Sequence, residues 1–257
     1  MEILAKGMKM SAEFEGQIGI VTGAARGLGF ATAELMAQRG AKVILVDIDA
    51  AGVEKAAASL QNAGHAAQAV ALDLSNEDEH PRLHAAIQGF GAGRVDVLVN
   101  NAGGWRYSTS REISMSEWEW IFKTNVTSTF LTTRAVMDIM VKQKSGRIVN
   151  VASGAAHKPS TIMPHYAAAK ASVISLTRSF AAELAPSQVL VNAVSPGPVN
   201  TEALQQAGVA AERAKLVPLG RVGEPTDIAE VILFLGSTRN RFVVGQSIVV
   251  NGGMFML

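Results

Sequence analysis

Short apolar runs alternate with longer segments of helical periodicity along the chain. The runs are rich in valine, isoleucine and leucine and are continuous rather than alternating, which is typical of strands covered on both faces. Seven strands are predicted, at 18–22, 42–46, 67–72, 95–100, 146–151, 189–194 and 247–250. Strand–helix alternation of this kind predicts right-handed βαβ crossovers and an α/β fold, a Rossmann-like, doubly wound parallel sheet with helices on both faces.

The alternation continues through the whole chain without a linker, repeat or low-complexity tract, so residues 1–257 are predicted to form a single domain. Residues 1–16 precede the first strand as an N-terminal extension. Residues 200–217 lie between two strand–helix units and are rich in alanine, glutamine and glutamate. This composition predicts a helical lid over the substrate, with Pro196-Gly197 and Pro218-Leu-Gly220 as possible hinges.

Composition and charge exclude several classes of protein. The formal net charge is +1 and no long basic run occurs, which argues against nucleic acid or an anionic membrane as a partner. The absence of cysteine excludes disulfides and thiol nucleophiles, and the five histidines are scattered, so no metal site is predicted. Neither a signal peptide nor a membrane span is visible, and we expect a cytoplasmic protein.

The first predicted strand runs into a glycine-rich turn that opens directly into a helix. The turn contains Gly23, Arg26, Gly27, Leu28 and Gly29. Glycine is needed where the backbone turns sharply and approaches a pyrophosphate, and the helix N-terminus offers N–H groups to the anion. The turn therefore predicts a dinucleotide site, although glycine-rich turns also occur for packing alone.

Acidic residues follow the second and third strands. Asp47 lies about twenty residues beyond the glycines, where a carboxylate can accept hydrogen bonds from both hydroxyls of an adenine ribose. It is also a candidate cap of the next helix, but Asp49 is equally able to fill that role. Asp73, followed by Leu74, is predicted either to face the adenine edge or to cap the helix after it.

Further motifs follow the later strands in a fixed order. They are Asn100-Asn101-Ala102-Gly103, Asn125 within Lys123–Val126, Ser153, the pair Tyr166 and Lys170, and the run Ser195-Pro196-Gly197-Pro198-Val199-Asn200-Thr201. With the Thr22–Gly29 turn, these motifs make the chain resemble the short-chain dehydrogenase/reductase family from Gln17 to Gly253. The resemblance implies a nicotinamide-dependent oxidoreductase.

The resemblance assigns catalytic roles to Asn125, Ser153, Tyr166 and Lys170. Tyr166 is expected to be the general acid/base, Ser153 to hold the substrate oxygen, and Asn125 to hold a water that connects Lys170 to solvent. The four-residue spacing puts Tyr166 and Lys170 on one helix face. We expect the ammonium of Lys170, together with the nicotinamide ring, to lower the pKa of the Tyr166 phenol. Lys170 is also expected to bind the nicotinamide ribose.

The remaining motifs are expected to contact the cofactor. Asn101, Ala102 and Gly103 are placed against the adenine ribose. The segment that fixes the nicotinamide carboxamide is expected to use Pro196, Gly197, Val199 and Thr201.

Two residues bear on the choice between NAD and NADP. Arg26 stands where NADP-preferring relatives often carry a basic residue, whereas Asp47 would repel a 2′-phosphate. A charge pair at ~4 Å in an effective dielectric of about 20 is worth ~4 kcal/mol before screening, so the closer group dominates. Because Asp47 is expected to touch the 2′ position itself, the predicted cofactor is NAD, with NADP the alternative.

The predicted function is NAD-dependent interconversion of a secondary alcohol, sugar derivative or cyclic diol and its ketone. One alternative is an NADPH-dependent 3-oxoacyl-(acyl-carrier-protein) reductase, which Asp47 and the lack of an obvious basic cluster disfavour. Another is a non-catalytic dinucleotide sensor, which the presence of Ser153, Tyr166 and Lys170 disfavours.

The segments least fixed by the shared motifs, at 104–113, 154–165 and 201–217, are expected to form the pocket walls. Trp105 and Met163 are candidate wall residues, and His157 and His165 are assigned to the walls rather than to catalysis. The apolar tail Met254–Leu257 is expected to pack on a neighbouring subunit of a homodimer or homotetramer. Asn251, where relatives often have aspartate, is expected to have a structural, inter-subunit role.

Overall fold

The computed structural model describes residues 12–257, so residues 1–11 of the predicted N-terminal extension lie outside the described part. Seven strands form one parallel sheet in the order β3-β2-β1-β4-β5-β6-β7. They are β1 Ile18–Thr22, β2 Lys42–Asp47, β3 Ala67–Ala71, β4 Val97–Asn100, β5 Gly146–Val151, β6 Val189–Pro196 and β7 Ser247–Val250. The chain winds outward from β1 to β3 and returns to continue at β4, which confirms the predicted doubly wound, Rossmann-like fold.

Nine α-helices connect the strands or follow them within residues 12–257. They are α1 Gly27–Gln38, α2 Ala50–Asn62, α3 His80–Gly89, α4 Met115–Phe122, α5 Ser128–Gln143, α6 Pro164–Leu184, α7 Glu202–Gln206, α8 Ala210–Ala214 and α9 Pro225–Gly236. None of the described helices is long and apolar enough to cross a membrane.

The sheet lies between two apolar layers because successive strand residues point to opposite faces. On one face, α1, α2 and α9 pack with Met36, Leu60 and Ile232 against strand residues such as Val21. On the other, α3, α5 and α6 pack with residues such as Leu83, Val136 and Phe180 against the opposite strand positions. Burial on both faces explains the continuous apolar runs in the sequence.

Four predicted strand boundaries differ from the structure, two of them by one residue: β2 ends at Asp47 rather than residue 46, and β3 ends at Ala71 rather than residue 72. The fourth strand begins at Val97 rather than residue 95, since the Asp96 carboxylate accepts a hydrogen bond from the Ile18 backbone N–H at 2.9 Å. The sixth strand continues to Pro196 rather than ending at residue 194, because β7 pairs alongside its last residues. That extension brings the Pro196-Gly197 motif to the edge of the sheet where the strands end.

Residues 200–217 form two short helices, α7 and α8, instead of the single helix expected from their propensity. Gly208 separates them with a φ of +66°, a left-handed conformation that side chains disfavour. Leu204 and Val217 are buried, so the segment is fixed to the body of the protein at two apolar positions.

Candidate active site

A cavity of about 580 Å³ opens at the carboxyl ends of β1, β4, β5 and β6. Ligands of open α/β sheets bind at this edge, where the strand order reverses. The predicted site residues that line it are Arg26, Gly27, Leu28, Gly29, Asn101, Gly103, Asn125, Ser153, Tyr166, Lys170, Pro196, Gly197, Val199 and Thr201. The predicted residues outside this lining are Gly23, Asp47, Asp73, Leu74 and Ala102.

The glycine turn has the geometry of an anion cradle. Gly23 and Gly27 have φ values of +63° and +58°, and a Cβ on Gly29 would lie 2.0 Å from the Gly23 carbonyl oxygen. Arg26 is the N-cap residue of α1, and its side chain makes no capping hydrogen bond. The first N–H groups of α1 are therefore available to the diphosphate of a dinucleotide, and the turn fits such a group.

Asn101 holds the glycine turn against the end of β4. Its Nδ2 donates to the carbonyl oxygens of Thr22 at 2.9 Å and Gly23 at 3.1 Å. The hydroxyl of Thr22 in turn accepts from the backbone N–H groups of Asn101 and Ala102. The Asn101 amide group therefore braces the turn, while the residue also lines the cavity.

Asp47 supports the same turn from β2. Its carboxylate accepts from the backbone N–H groups of Ala25 and Asp49, both at 3.0 Å. Asp49 caps α2 by accepting from the Gly52 N–H, and it pairs with Arg26 at 3.6 Å. The capping role thus belongs to Asp49, and the carboxylate of Asp47 keeps lone pairs for a further donor.

The side chains of Asp73 and Leu74 both make contacts within the protein. The Asp73 carboxylate accepts from the N–H and hydroxyl of Ser75 and lies 3.7 Å from the Lys123 ammonium. The short helical turn that follows is capped by Asn76, not by Asp73. The Leu74 side chain is buried in the core, so this residue offers a ligand only its backbone.

The proposed catalytic groups come together where β5 ends and α6 begins. Proline at the first position of α6 starts the helix and places Tyr166 in its first turn. The Lys170 ammonium donates to the Val151 carbonyl oxygen at 2.8 Å and lies 5.9 Å from the centre of the Tyr166 ring. The Ser153 hydroxyl accepts from the Ala155 N–H at 3.1 Å.

Burial shifts the pKa values of both Tyr166 and Lys170 in the polypeptide. Burial raises the pKa of the Tyr166 phenol above its ordinary value, and the hydrogen bond with Ser153 offsets only part of that rise. Burial also lowers the pKa of Lys170 to about 8. In the polypeptide without cofactor the pKa of Tyr166 is therefore shifted upward by desolvation, whereas the expected lowering, which includes the nicotinamide ring, stays a prediction for the cofactor complex.

Asn125 lies in a π-helical turn, Lys123–Thr127, between α4 and α5. Its Nδ2 donates to the Gly104 and Ile121 carbonyl oxygens, both at 2.9 Å, and its buried Oδ1 has no partner within residues 12–257. A Cβ on Gly103 would lie 2.5 Å from that oxygen and 3.3 Å from the Lys170 ammonium. The π turn thus brings an amide acceptor and an ammonium to the same side of Gly103, a feature that the sequence did not predict.

The three predicted wall segments all contribute to the cavity, and Trp105 and Met163 both line it. His157 and His165 are not among the lining residues, so their assignment to the walls is wrong. His165 is fully buried, with Nε2 3.0 Å from the Glu117 carboxylate. His157 places Nε2 2.9 Å from the Ser195 hydroxyl, behind the wall.

The C-terminal tail supplies a wall that the sequence analysis missed. Met254 and Phe255 line the cavity, whereas Met256 and Leu257 are exposed. Asn251 holds this arrangement by donating to the Phe255 carbonyl oxygen at 2.8 Å and accepting from the Gly253 N–H at 3.0 Å. Half of the tail and Asn251 thus have structural roles within the chain, and the expected packing on a neighbouring subunit stays a prediction.

No group of three or more acidic or histidine side chains in residues 12–257 is arranged to hold a metal ion. The chemistry available to the chain itself is proton transfer and hydrogen bonding by Ser153, Tyr166 and Lys170. These groups surround a cavity whose other end is the glycine turn. The arrangement fits a dinucleotide along one side and a carbonyl or alcohol substrate on the other.

Comparison with known proteins gives near-complete matches. A family model described as enoyl-(acyl carrier protein) reductase matches residues 23–255. The 3-oxoacyl-(acyl-carrier-protein) reductase of Vibrio cholerae is 40% identical over 246 residues, which cover 95% of this chain and 99% of the relative. A hydroxy(phenyl)methylsuccinyl-CoA dehydrogenase subunit of Thauera aromatica is 36% identical, over 93% of this chain and 96% of the relative.

Solved structures share the fold over the same length. A 3-oxoacyl-(acyl-carrier-protein) reductase from Brucella melitensis with bound NAD superimposes with a TM-score of 0.88 at 36% identity. The match covers 100% of this chain and 98% of that one.

Proposed function

The chain belongs to the short-chain dehydrogenase/reductase family of oxidoreductases, and we propose that it interconverts a 3-oxoacyl thioester and its 3-hydroxyacyl form with NAD(H). The observation that carries the proposal is the convergence of Ser153, Tyr166 and Lys170 inside one cavity with the glycine turn. The thioester class is supported by relatives of nearly full length, which are named for carrier-protein and coenzyme A thioesters. The proposal thus takes its substrate from the alternative of the sequence analysis and its cofactor from the main prediction.

NAD rather than NADP is supported by the carboxylate of Asp47 at the end of β2. It is anchored to the glycine turn through the Ala25 N–H, so it stands beside the position of the adenine ribose. Arg26 is largely exposed and pairs with Asp49 at 3.6 Å, which partly offsets its charge toward a 2′-phosphate. The solved relative with bound NAD is consistent with this choice.

When bound, the nicotinamide ring supplies the hydride donor or acceptor. In the reducing direction, Tyr166 donates the phenol proton to the carbonyl oxygen as it becomes a hydroxyl. A raised pKa suits this direction because the phenol is protonated at neutral pH. Ser153 orients the same oxygen by hydrogen bonding, and Lys170 provides the positive charge that stabilises the phenolate left behind.

The decisive substitution is Tyr166→Phe, which removes the proton donor and keeps the ring. We expect kcat with NADH and a 3-oxoacyl thioester to fall at least ~100-fold, the usual contribution of general acid–base catalysis. The dissociation constant of NADH should stay within a few-fold, because the phenol contributes little to holding the dinucleotide. Steady-state assays of NADH oxidation and a fluorescence titration measure the two effects.

The matched control is Tyr107→Phe, since Tyr107 and Tyr166 are the two tyrosines of the chain. Tyr107 lines the cavity, but its hydroxyl contacts Arg213 rather than the catalytic group. We expect this variant to keep kcat within about threefold, well below the ~100-fold effect of losing a general acid. A Tyr166→Phe enzyme with more than a tenth of the wild-type kcat would contradict the assignment.

A further inference from the structure

Two positively charged side chains line the cavity without a role in the proposed chemistry. Four basic side chains line it: Arg26, Lys158, Lys170 and Arg213. Lys170 belongs to the catalytic group, and Arg26 pairs with Asp49 beside the glycine turn. Lys158 and Arg213 come from the wall segments that follow β5 and β6.

Neither of these two cations is neutralised by a carboxylate within residues 12–257. The Arg213 guanidinium donates to the Tyr107 hydroxyl at 3.4 Å, a long and uncharged contact. The Lys158 ammonium lies 5.1 Å above the Phe255 ring. By contrast, Lys215, two residues from Arg213 along the chain, pairs with Glu212 at 2.7 Å.

The negative charge that lines the cavity lies at the glycine turn, not beside Lys158 or Arg213. Glu202 is the one carboxylate among the described lining residues, and it lies beside Gly27, at the glycine turn. Away from the glycine turn, the described lining therefore carries the positive charges of Lys158 and Arg213, besides that of Lys170, without a negative one. A cavity wall of one sign concentrates ligands of the opposite sign.

We infer that Arg213 binds an anionic group of the substrate, a carboxylate or phosphate remote from the reacting carbonyl, in a cavity to whose positive potential Lys158 also contributes. A guanidinium offers five N–H donors in a planar fork that matches both groups, and the Tyr107 contact uses one of them. The inference rests on the proposed function, because the anion is a part of the thioester substrate. Its two possible sources are the phosphates of the thioester carrier and a carboxylate on the acyl chain.

Three substrates assayed with NADH separate these sources. Acetoacetyl-N-acetylcysteamine is neutral, acetoacetyl-CoA adds carrier phosphates, and 3-oxoadipyl-N-acetylcysteamine adds a carboxylate to the acyl chain. The variants are Arg213→Ala, Arg213→Lys and the control Lys215→Ala. Lys215 is two residues from Arg213 along the chain, and its side chain does not line the cavity. Lys215→Ala therefore removes a nearby positive charge without changing the cavity wall.

We expect Arg213→Ala to lower kcat/KM about 10- to 100-fold for one or both anionic substrates, mainly through KM, as loss of a charged hydrogen bond does. The neutral thioester should change less than about threefold, since its contacts do not include the charge. Arg213→Lys should recover part of the loss because it keeps the charge without the fork. Lys215→Ala should leave the ratio of anionic to neutral substrate unchanged.

Loss confined to acetoacetyl-CoA would identify the carrier phosphates, and loss confined to the carboxylated substrate would identify the acyl chain. An equal loss for all three substrates would overturn the inference, because it would indicate a structural role or a contact with the dinucleotide. Unchanged kinetics with all three would overturn it as well. A wild-type enzyme inactive on every thioester would instead contradict the proposed function, and the inference would fall with it.

Discussion

At the scale of single residues, Asp47 combines two roles in one carboxylate. It fixes the glycine turn by accepting from the Ala25 and Asp49 N–H groups, and it stands at the proposed position of the adenine ribose. Its charge favours ribose hydroxyls and opposes a 2′-phosphate. Cofactor choice and the shape of the turn therefore depend on the same side chain.

Replacing Asp47 with serine should reverse or flatten the preference for NADH. We expect the NADH-to-NADPH ratio of kcat/KM to change by ~1–3 kcal/mol, about 5- to 150-fold, as for a charged hydrogen-bond partner that is partly solvated. Arg26→Ala in that background should then weaken NADPH binding specifically. Steady-state kinetics with both cofactors measure these effects.

Asp47→Asn is the matched control for the structural role, because its amide oxygen still accepts from the Ala25 N–H without the charge. It should change cofactor preference with less loss of thermal stability than Asp47→Ser. A wild-type enzyme that uses NADPH as efficiently as NADH would contradict the assignment of cofactor preference to the Asp47 carboxylate.

At the scale of elements, the segment 200–217 determines how the cavity is covered. It divides at Gly208 into α7 and α8, and only Leu204 and Val217 among its described side chains are buried. Short helices with so few apolar anchors gain little from docking. Arg213 extends from this segment into the cavity, so a bound substrate would add a contact that the free protein lacks.

We expect the segment 200–217 to exchange its amide hydrogens rapidly in the free protein and to be protected when cofactor and substrate analogue are both bound. Closure over the nicotinamide after both ligands bind is the physical reason. Hydrogen exchange followed by mass spectrometry measures it in the free, NAD-bound and ternary states. The internal control is α9, whose buried Ile228 and Ile232 fix it to the sheet in every state. Equal protection of 200–217 in all three states would mean a rigid wall.

At the scale of the whole molecule, the stability of the fold is linked to a buried ammonium. Lys170 is almost inaccessible, and burial lowers its pKa from 10.5 to about 8. Between these two values the unfolded chain binds more protons than the folded protein at this position. Stability conferred through Lys170 therefore increases as the pH rises through that window.

The variant Lys170→Met tests this linkage because it keeps the length of the side chain and removes its charge. Relative to wild type, the free energy of unfolding of this variant should fall by roughly 2–3 kcal/mol between about pH 7 and about pH 10, because only the wild type gains stability in that window and each pKa unit is worth ~1.4 kcal/mol. Urea denaturation of both proteins at the two pH values measures the difference. A gap that does not change with pH would show that Lys170 titrates normally in the folded state.

Association of whole molecules stays a prediction. The part of the tail that does not enter the cavity is exposed at Met256 and Leu257, and Phe242 and Ile248 near β7 are also exposed. These apolar side chains are consistent with the expected homodimer or homotetramer.

The sequence alone determined the features that depend on neighbours along the chain. Buried parallel strands require continuous apolar runs, a phosphate turn requires glycine at positive φ, and a shared helix face requires four-residue spacing. For this reason the positions of the strands along the chain, the Thr22–Gly29 turn and the pairing of Tyr166 with Lys170 could all be predicted. Boundaries were less certain because a strand ends where its partner ends, as β6 and β7 show.

Only the tertiary structure decided the features that depend on contacts between residues distant in sequence, such as the lining of the cavity and the pKa of a buried group. Phe255 lines the cavity because Asn251 donates a hydrogen bond to its backbone carbonyl. His165 lies in the interior rather than in the cavity wall because it pairs with Glu117, 48 residues away in sequence. The pKa of Tyr166 rises because the fold removes the phenol from water, and the hydrogen bond with Ser153 offsets only part of that rise. Burial and long-range pairing are properties of the assembled fold, and no local pattern encodes them.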